Sequence, residues 1–385
     1  MPLKVSQRGA ISPFIVMDVM QAATEREAEK KAVYHLEVGQ PGTPAPKGVL
    51  DAARRALDEN RLGYTVAPGM LELRKAIAAH YLRNYSVEVD PARIFVTTGS
   101  SAGFTLSFLA AFDPGDRVAM ATPGYPCYRN ILSAIGADPT LLLVEAEDRF
   151  QPTPELLERA VRDGGQVDGL IVASPSNPTG TMIGPGQMAA LADYCSENDI
   201  RFISDEIYHG LTYNGSATTA LTYDSNSIVI NSFSKYFSMT GWRLGWMVVP
   251  EDMTRAIECL AQNLFISAPT LSQIAGIAAF DCEDELQGNF AKYAANRKLL
   301  LSQLPKAGFD HLAPVDGAFY IYADVAELTN DSLAFCRNIL NETGVAITPG
   351  VDFDPDRGNR YVRFSFAESL EQVEGAAAAL VNWSR

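Results

Sequence analysis

The chain has 385 residues, 47% hydrophobic and 20% charged, which are globular proportions in a chain long enough to bury a large core without disulfide or metal staples. With 46 acidic against 31 basic residues the formal net charge is −15, and no Lys/Arg cluster offsets it locally, so nucleic acid is excluded as a partner by the field of the whole molecule. The longest uncharged run, Ile94 to Phe112, is interrupted throughout by Gly, Ser and Thr and is too polar to cross a bilayer.

Short apolar runs predict strands at Ile94–Thr98, Arg117–Ala121, Thr140–Val144, Gly169–Ala173, Arg201–Ser204, Ser227–Asn231 and Leu244–Val249. Helix-length segments lie between several of them, at Ala102–Phe112, Pro126–Gly136, Pro154–Arg162 and Pro185–Asn198. That alternation reads as βαβ units, hence an α/β fold with a mostly parallel, seven-stranded sheet flanked by helices. The last hundred residues read as a smaller α+β domain. A long amphipathic helix covers Glu285–Leu304, strands follow at Phe319–Val325, Val345–Thr348 and Tyr361–Phe366, and helices at Ser332–Glu342 and Glu368–Leu380. The expected division is a large domain over 46–285 and a small domain from 1–45 and 286–385, with the Pro/Gly-rich stretch from Gly39 to Pro46 as the boundary.

Five cysteines lie far apart with no CxxC pair, which points to reduced thiols and a cytoplasmic setting. Four isolated histidines without HExxH spacing argue against a metal. Lys4 and Arg8 precede an apolar run, but Pro13 and Asp18 break it, so the N-terminus reads as mature protein rather than a signal peptide.

Ligands of open α/β sheets bind beyond the carboxyl ends of the strands. Those ends carry Gly99-Ser100-Ser101, then Pro123-Gly124-Tyr125, then Ser176-Asn177-Pro178-Thr179-Gly180. Further along they carry Asp205-Glu206-Ile207-Tyr208 and Ser232-Phe233-Ser234-Lys235, with Gly241-Trp242-Arg243 close behind. No GxGxxG or GxxxxGK[ST] fingerprint occurs. The set matches the needs of pyridoxal 5'-phosphate. Lys235 supplies an amine for a Schiff base with the aldehyde. Asp205 keeps the pyridinium nitrogen protonated, and Asn177 and Tyr208 donate to the ring oxygen. Ser100, Ser101, Ser232 and Arg243 suit the phosphate, and Tyr125 offers a flat face for the ring.

Asn-Pro-Thr-Gly at 177–180, Asp205-x-x-Tyr208, Ser-x-Ser-Lys at 232–235 and Gly-Trp-Arg-x-Gly at 241–245 resemble the class I/II aminotransferases, which are fold-type I pyridoxal-phosphate enzymes. The resemblance extends from Leu36-Glu37-Val38-Gly39 to Tyr361-Val362-Arg363-Phe364. It implies that the backbone at Gly39 meets the substrate, that Arg363 grips the substrate α-carboxylate, and that Tyr64 reaches the phosphate of a neighbouring subunit in a homodimer with shared active sites. It also implies cis peptides before Pro123 and Pro178. Relatives specific for dicarboxylates often carry an arginine near the segment that matches Asn263–Pro269; none stands there, which argues against a strict aspartate enzyme.

The function expected is transfer of an α-amino group from an amino acid to a 2-oxo acid, 2-oxoglutarate foremost, by a ping-pong mechanism. A β-lyase or decarboxylase would use the same anchors. Ser232-x-x-Lys235 also spells the SxxK of serine acyl-hydrolases, but neither Ser-Asp-Asn nor Lys-Thr-Gly accompanies it. A ligand-binding DNA regulator would need a basic appendage that the sequence lacks.

Overall fold

The computed structural model describes residues 3–60 and 62–383. After a first short strand β1 (Tyr34–His35), seven strands build one sheet: β2 (Ile94–Thr97), β3 (Arg117–Thr122), β4 (Asp138–Leu143), β5 (Gly169–Ala173), β6 (Arg201–Asp205), β7 (Ile228–Ser232) and β8 (Gly245–Val248). Their spatial order is β2-β8-β7-β6-β5-β3-β4; only β8 runs antiparallel to its two neighbours. The strands are apolar on both faces because helices cover both. Ile94, Leu170, Val172 and Val229 face one core, while the alternate residues Phe95, Ile171, Ile228 and Ile230 face another.

The first core is closed by α2 (Lys47–Glu59), α3 (Leu71–Tyr85), α7 (Pro185–Glu197) and α9 (Thr270–Ala279), the second by α4 (Gly99–Ala111), α5 (Pro126–Ile135) and α8 (Thr254–Leu264). Helix α6 (Pro154–Gly164) follows the edge strand β4. Pro139 sits inside β4, where an edge tolerates the missing N–H.

The smaller unit contains the long helix α10 (Glu283–Gln303), α11 (Ser332–Thr343) and α12 (Leu370–Val381). Its four-stranded antiparallel sheet has the order β12 (Thr348–Pro349), β13 (Tyr361–Ser365), β10 (Tyr320–Asp324) and β9 (His311–Leu312). The strand expected at Val345–Thr348 divides at Ile347. Its first half, β11 (Val345–Ala346), pairs in parallel with β1, and its second half joins β13. Helix α1 (Ile15–Ala28), together with α2, α3, α8 and α9, was not anticipated. The buried face of α2 shows why: Val49, Ala52, Ala53 and Ala56 are mostly alanine, a weak apolar signal. The N-terminus of α1 has no cap of its own. Asp352 supplies one from the far end of the chain, accepting from the N–H groups of Ile15 at 3.0 Å and Val16 at 3.2 Å.

No helix among the described residues is long and apolar enough to span a membrane. The peptides before Pro123, Pro175 and Pro178 are cis; the one before Pro175 was not expected.

Candidate active site

A cavity of about 180 Å³ opens where the strand ends meet β10 and β13. Gly39, Ser100, Ser101, Tyr125, Asn177, Asp205, Tyr208, Lys235, Arg243 and Arg363 all line it, so ten of the residues singled out from sequence come together on one wall.

The first end of the cavity is an anion cradle. Helix α4 begins at Gly99, and the N–H groups of its first turn have no partner within the helix. Gly99 takes φ +72°, and a Cβ there would stand 2.3 Å from the Arg243 guanidinium, so glycine is what lets this cation lie across the helix start. Ser234 and Thr240 complete the cradle with hydroxyls. Ser232, expected here, stands one layer back and is absent from the wall. Its Oγ donates to the Leu244 carbonyl at 3.0 Å and accepts from the Ser234 N–H at 3.1 Å.

The floor is Asp205, at the end of β6. Burial pushes its carboxyl up to about 6, against the pull of hydrogen bonds from Tyr128 and the Ile207 N–H and of the Lys235 charge. Tyr128 donates directly to Oδ2, and Ile207 N–H to Oδ1 at 3.0 Å. A cationic N–H placed above Asp205 would relieve the cost of its ionisation. Lys235 leaves the loop after β7, and its Nζ donates to the Gly39 carbonyl at 2.5 Å. Burial, then Arg363 and Arg243, lowers its amine to about 8, within reach of neutrality near physiological pH. Gly39 must be glycine, since a Cβ would overlap the Tyr320 hydroxyl. Tyr208 and Tyr320 share a hydrogen bond of 2.7 Å, and Tyr125 meets Phe14 edge to face at 5.7 Å.

The second end is Arg363. It is 2% exposed, sandwiched between the rings of Tyr320 at 4.3 Å and Phe353 at 4.7 Å. It donates to Asn177 Oδ1 at 2.7 Å, to Thr348 Oγ1 at 3.2 Å and to the Glu37 carbonyl, yet its Nε has no partner. A buried guanidinium with an unspent donor could receive a carboxylate.

Tyr64 is not on this wall. It is 85% exposed, beside Leu62, Thr98 and Pro269 around a separate surface hollow. Tyr128, Ser234, Thr240 and Tyr320 were missed. Ser234 lay inside the Ser-x-Ser-Lys motif, and Tyr128 follows Tyr125 by one helical turn; Tyr320 had no local signal.

The residues fit pyridoxal phosphate on their own chemistry. An anion cradle, a buried carboxylate short of a cationic partner and a lysine of lowered basicity lie in one cavity. Residues 31–380 match the family model of aminotransferase class I and II. A valine–pyruvate aminotransferase of Mycobacterium tuberculosis is 51% identical over 99% of this chain and 98% of its own. The crystal structure of an aminotransferase from the same organism superposes with a TM-score of 0.96 at 51% identity, covering 99% of both chains. The aspartate aminotransferase of Thermus thermophilus with maleate gives 0.92 at 30% identity, again over 99% of both. The chain therefore belongs to the class I and II aminotransferases, transferases that depend on pyridoxal 5'-phosphate.

Proposed function

We propose that this aminotransferase takes its amino group from an apolar monocarboxylic amino acid of the valine kind and passes it, in ping-pong order, to a small 2-oxo acid of the pyruvate kind. The observation that carries this reading is the wall facing Arg363. Phe14, Val16, Met17 and Val38 line the same cavity as Arg363, and among the described residues the cations that line it are Arg363, Lys235 and Arg243. A second carboxylate, as in 2-oxoglutarate, would meet apolar side chains there. The name of the M. tuberculosis relative, which pairs valine with pyruvate, agrees with this and gives 2-oxoglutarate no support.

Bound in the cavity, pyridoxal phosphate supplies a carbonyl carbon that takes up the amino group and a ring that accepts the electrons left when the Cα proton departs. Ser100, Ser101, Ser234, Thr240 and Arg243 would hold its phosphate, with Ser232 fixing Ser234 from behind. Asp205 would keep the ring nitrogen protonated, and Tyr125 would cover the ring face. Asn177 and Tyr208 would donate to the ring oxygen. Arg363, with Asn177, grips the α-carboxylate; that pins the substrate so that its Cα hydrogen faces Lys235. The lysine, its basicity lowered, would take that proton at Nζ and deliver it to the carbon on the far side of the substrate nitrogen.

A homodimer completes the reading. Leu62, Tyr64 and Val66 are exposed, and so are Leu264, Phe265 and Ile266. Tyr64 and Pro269 line one hollow with Thr98, the residue just before the anion cradle. A second copy seated there would bring its Tyr64 towards the phosphate. The proposed large domain is 46–285, and the small one is 1–45 with 286–385. The cytoplasmic setting rests on the five free cysteines.

The test is an absorption titration of the holoenzyme with single amino acids and no acceptor. Valine should convert the cofactor band, and pyruvate should restore it faster than 2-oxoglutarate. Faster restoration by 2-oxoglutarate would overturn the acceptor; release of ammonia or carbon dioxide would make the enzyme a lyase or decarboxylase.

A further inference from the structure

A second hollow of about 210 Å³ lies between α3, the 209–217 turn and the start of α10. Its lining is mixed, with the rings of Tyr85, Phe237, Trp246 and Phe280 among polar side chains. Two opposite charges stand at its mouth. Arg83 makes no ion pair or hydrogen bond among the described residues, and Glu283 uses Oε1 for Tyr236 and Gln287 while Oε2 has no partner there. Glu283 accepts from the Tyr236 phenol at 3.2 Å, and both charges line the hollow with it.

Asn231 points into the same hollow. It is 4% exposed, and alternation along β7 turns it to the side of Val229, away from Ser232. Its Oδ1 accepts from the Ser232 N–H at 2.7 Å, and its Nδ2 has no partner among the described residues. That amide donor is left accessible in the hollow, where a ligand acceptor could take it. His80 and His209 also reach the hollow. Burial drives both below their ordinary range, to about 4 and about 3, so they stand there as neutral rings.

We propose that this hollow is a second binding site, for a small zwitterionic α-amino acid. Arg83 and the Asn231 amide take its carboxylate, Glu283 takes its ammonium, and the aromatic rings take its side chain. The chemistry is a matched pair of charges beside aromatic rings, which suits neither a bare anion nor an uncharged ligand.

One residue that would touch the ligand, Asn231, and one that lines the hollow beside it, His209, also hold the active site. Asn231 fixes the N–H of Ser232, whose hydroxyl accepts from Ser234 on the phosphate cradle. His209 follows Tyr208 directly, accepts from Tyr85 at 2.8 Å and donates to the Ser174 carbonyl at 3.0 Å, at the root of the loop that carries Asn177. A bound amino acid therefore adds contacts to groups that position both ends of the catalytic cavity, and its occupancy would change turnover.

The test uses the holoenzyme with 2-aminoisobutyrate and α-methyl-L-phenylalanine, zwitterions that lack a Cα hydrogen and so cannot be transaminated by its removal. Calorimetry should count two molecules of at least one probe per chain, while the cofactor spectrum responds to only one of them. Arg83→Ala with Glu283→Gln, both surface changes, should remove the spectrally silent molecule or weaken it at least about tenfold. If the aminotransferase reading were wrong, the counts would be one in the parent and none in the variant, and the second site would still stand. One molecule per chain in both proteins, or a silent molecule unaffected by the two substitutions, would overturn the proposal.

Discussion

The phenol of Tyr128 donates to Oδ2 of Asp205 at the floor of the catalytic cavity, while the Ile207 N–H holds Oδ1 at 3.0 Å. Burial opposes ionisation of this carboxyl and the phenol favours it. Tyr128 is thus a positioning residue that keeps Asp205 charged against its surroundings.

Replacing Tyr128 by Phe removes the hydrogen bond and leaves burial uncompensated. The carboxyl then rises above about 6. Asp205 is protonated over a wider range, so the acid limb of the kcat profile moves to higher pH. Turnover at pH 7 should fall roughly tenfold, about 1.4 kcal/mol. A packing role alone would lower kcat without moving the limb, so the pH profile is the deciding measurement.

On the proposed reading Lys235 would bind the cofactor aldehyde only as a neutral amine, and its lowered basicity puts the changeover at about 8. Recapture of pyridoxal phosphate by the cofactor-stripped protein should therefore quicken with pH and level off above about 8. Arg363 is one of the charges that lower this amine. Arg363→Leu should shift the same curve to higher pH, and rapid absorbance measurements on the two proteins would show the displacement.

Gly99→Ala would set a methyl group 2.3 Å from the Arg243 guanidinium at a backbone φ of +72°. The arginine must leave the start of α4. Affinity for pyridoxal phosphate should drop roughly tenfold or more, read by equilibrium dialysis, while the folded spectrum in the far ultraviolet stays the same.

Phe265→Asp would put a charge in the exposed apolar surface that also holds Leu264 and Ile266. Sedimentation should show the parent as a dimer and the variant shifted towards monomer, with activity lost in proportion as the neighbour's Tyr64 withdraws. A monomeric parent at working concentration would remove the shared-site reading.

The sheet was legible in the sequence because its strands are covered on both faces. Runs such as Gly169–Ala173 are apolar at every position and are bounded by turn residues, so all seven were found within two residues of their ends. The helices on Ala-rich faces were not legible, nor was the break at Ile347, which depends on β1 arriving from 311 residues earlier in the chain. At the site, residues that close a strand were readable because polar groups there interrupt an apolar run. Tyr320 was not. It belongs to another sheet, and only the meeting of β10 with the strand ends gives it a part in the cavity. Ser232 and Ser234 could not be told apart by motif; which one faces the cavity depends on the backbone turn after β7.

The cap that Asp352 gives to α1 separates two kinds of inheritance. The groups that hold the cofactor and move the proton sit on strand ends and helix starts built deep into the framework. Phe14, Val16 and Met17, which on the proposed reading would meet the substrate's side chain, stand at the start of a peripheral helix whose first turn is capped by one carboxylate. Exchanging the first turn of that helix would alter the wall without disturbing a strand end. A chain organised this way can drift from one amino acid to another over evolutionary time while its reaction stays fixed, and grafting the 12–20 segment of a relative with a different donor would be the engineering counterpart of that drift.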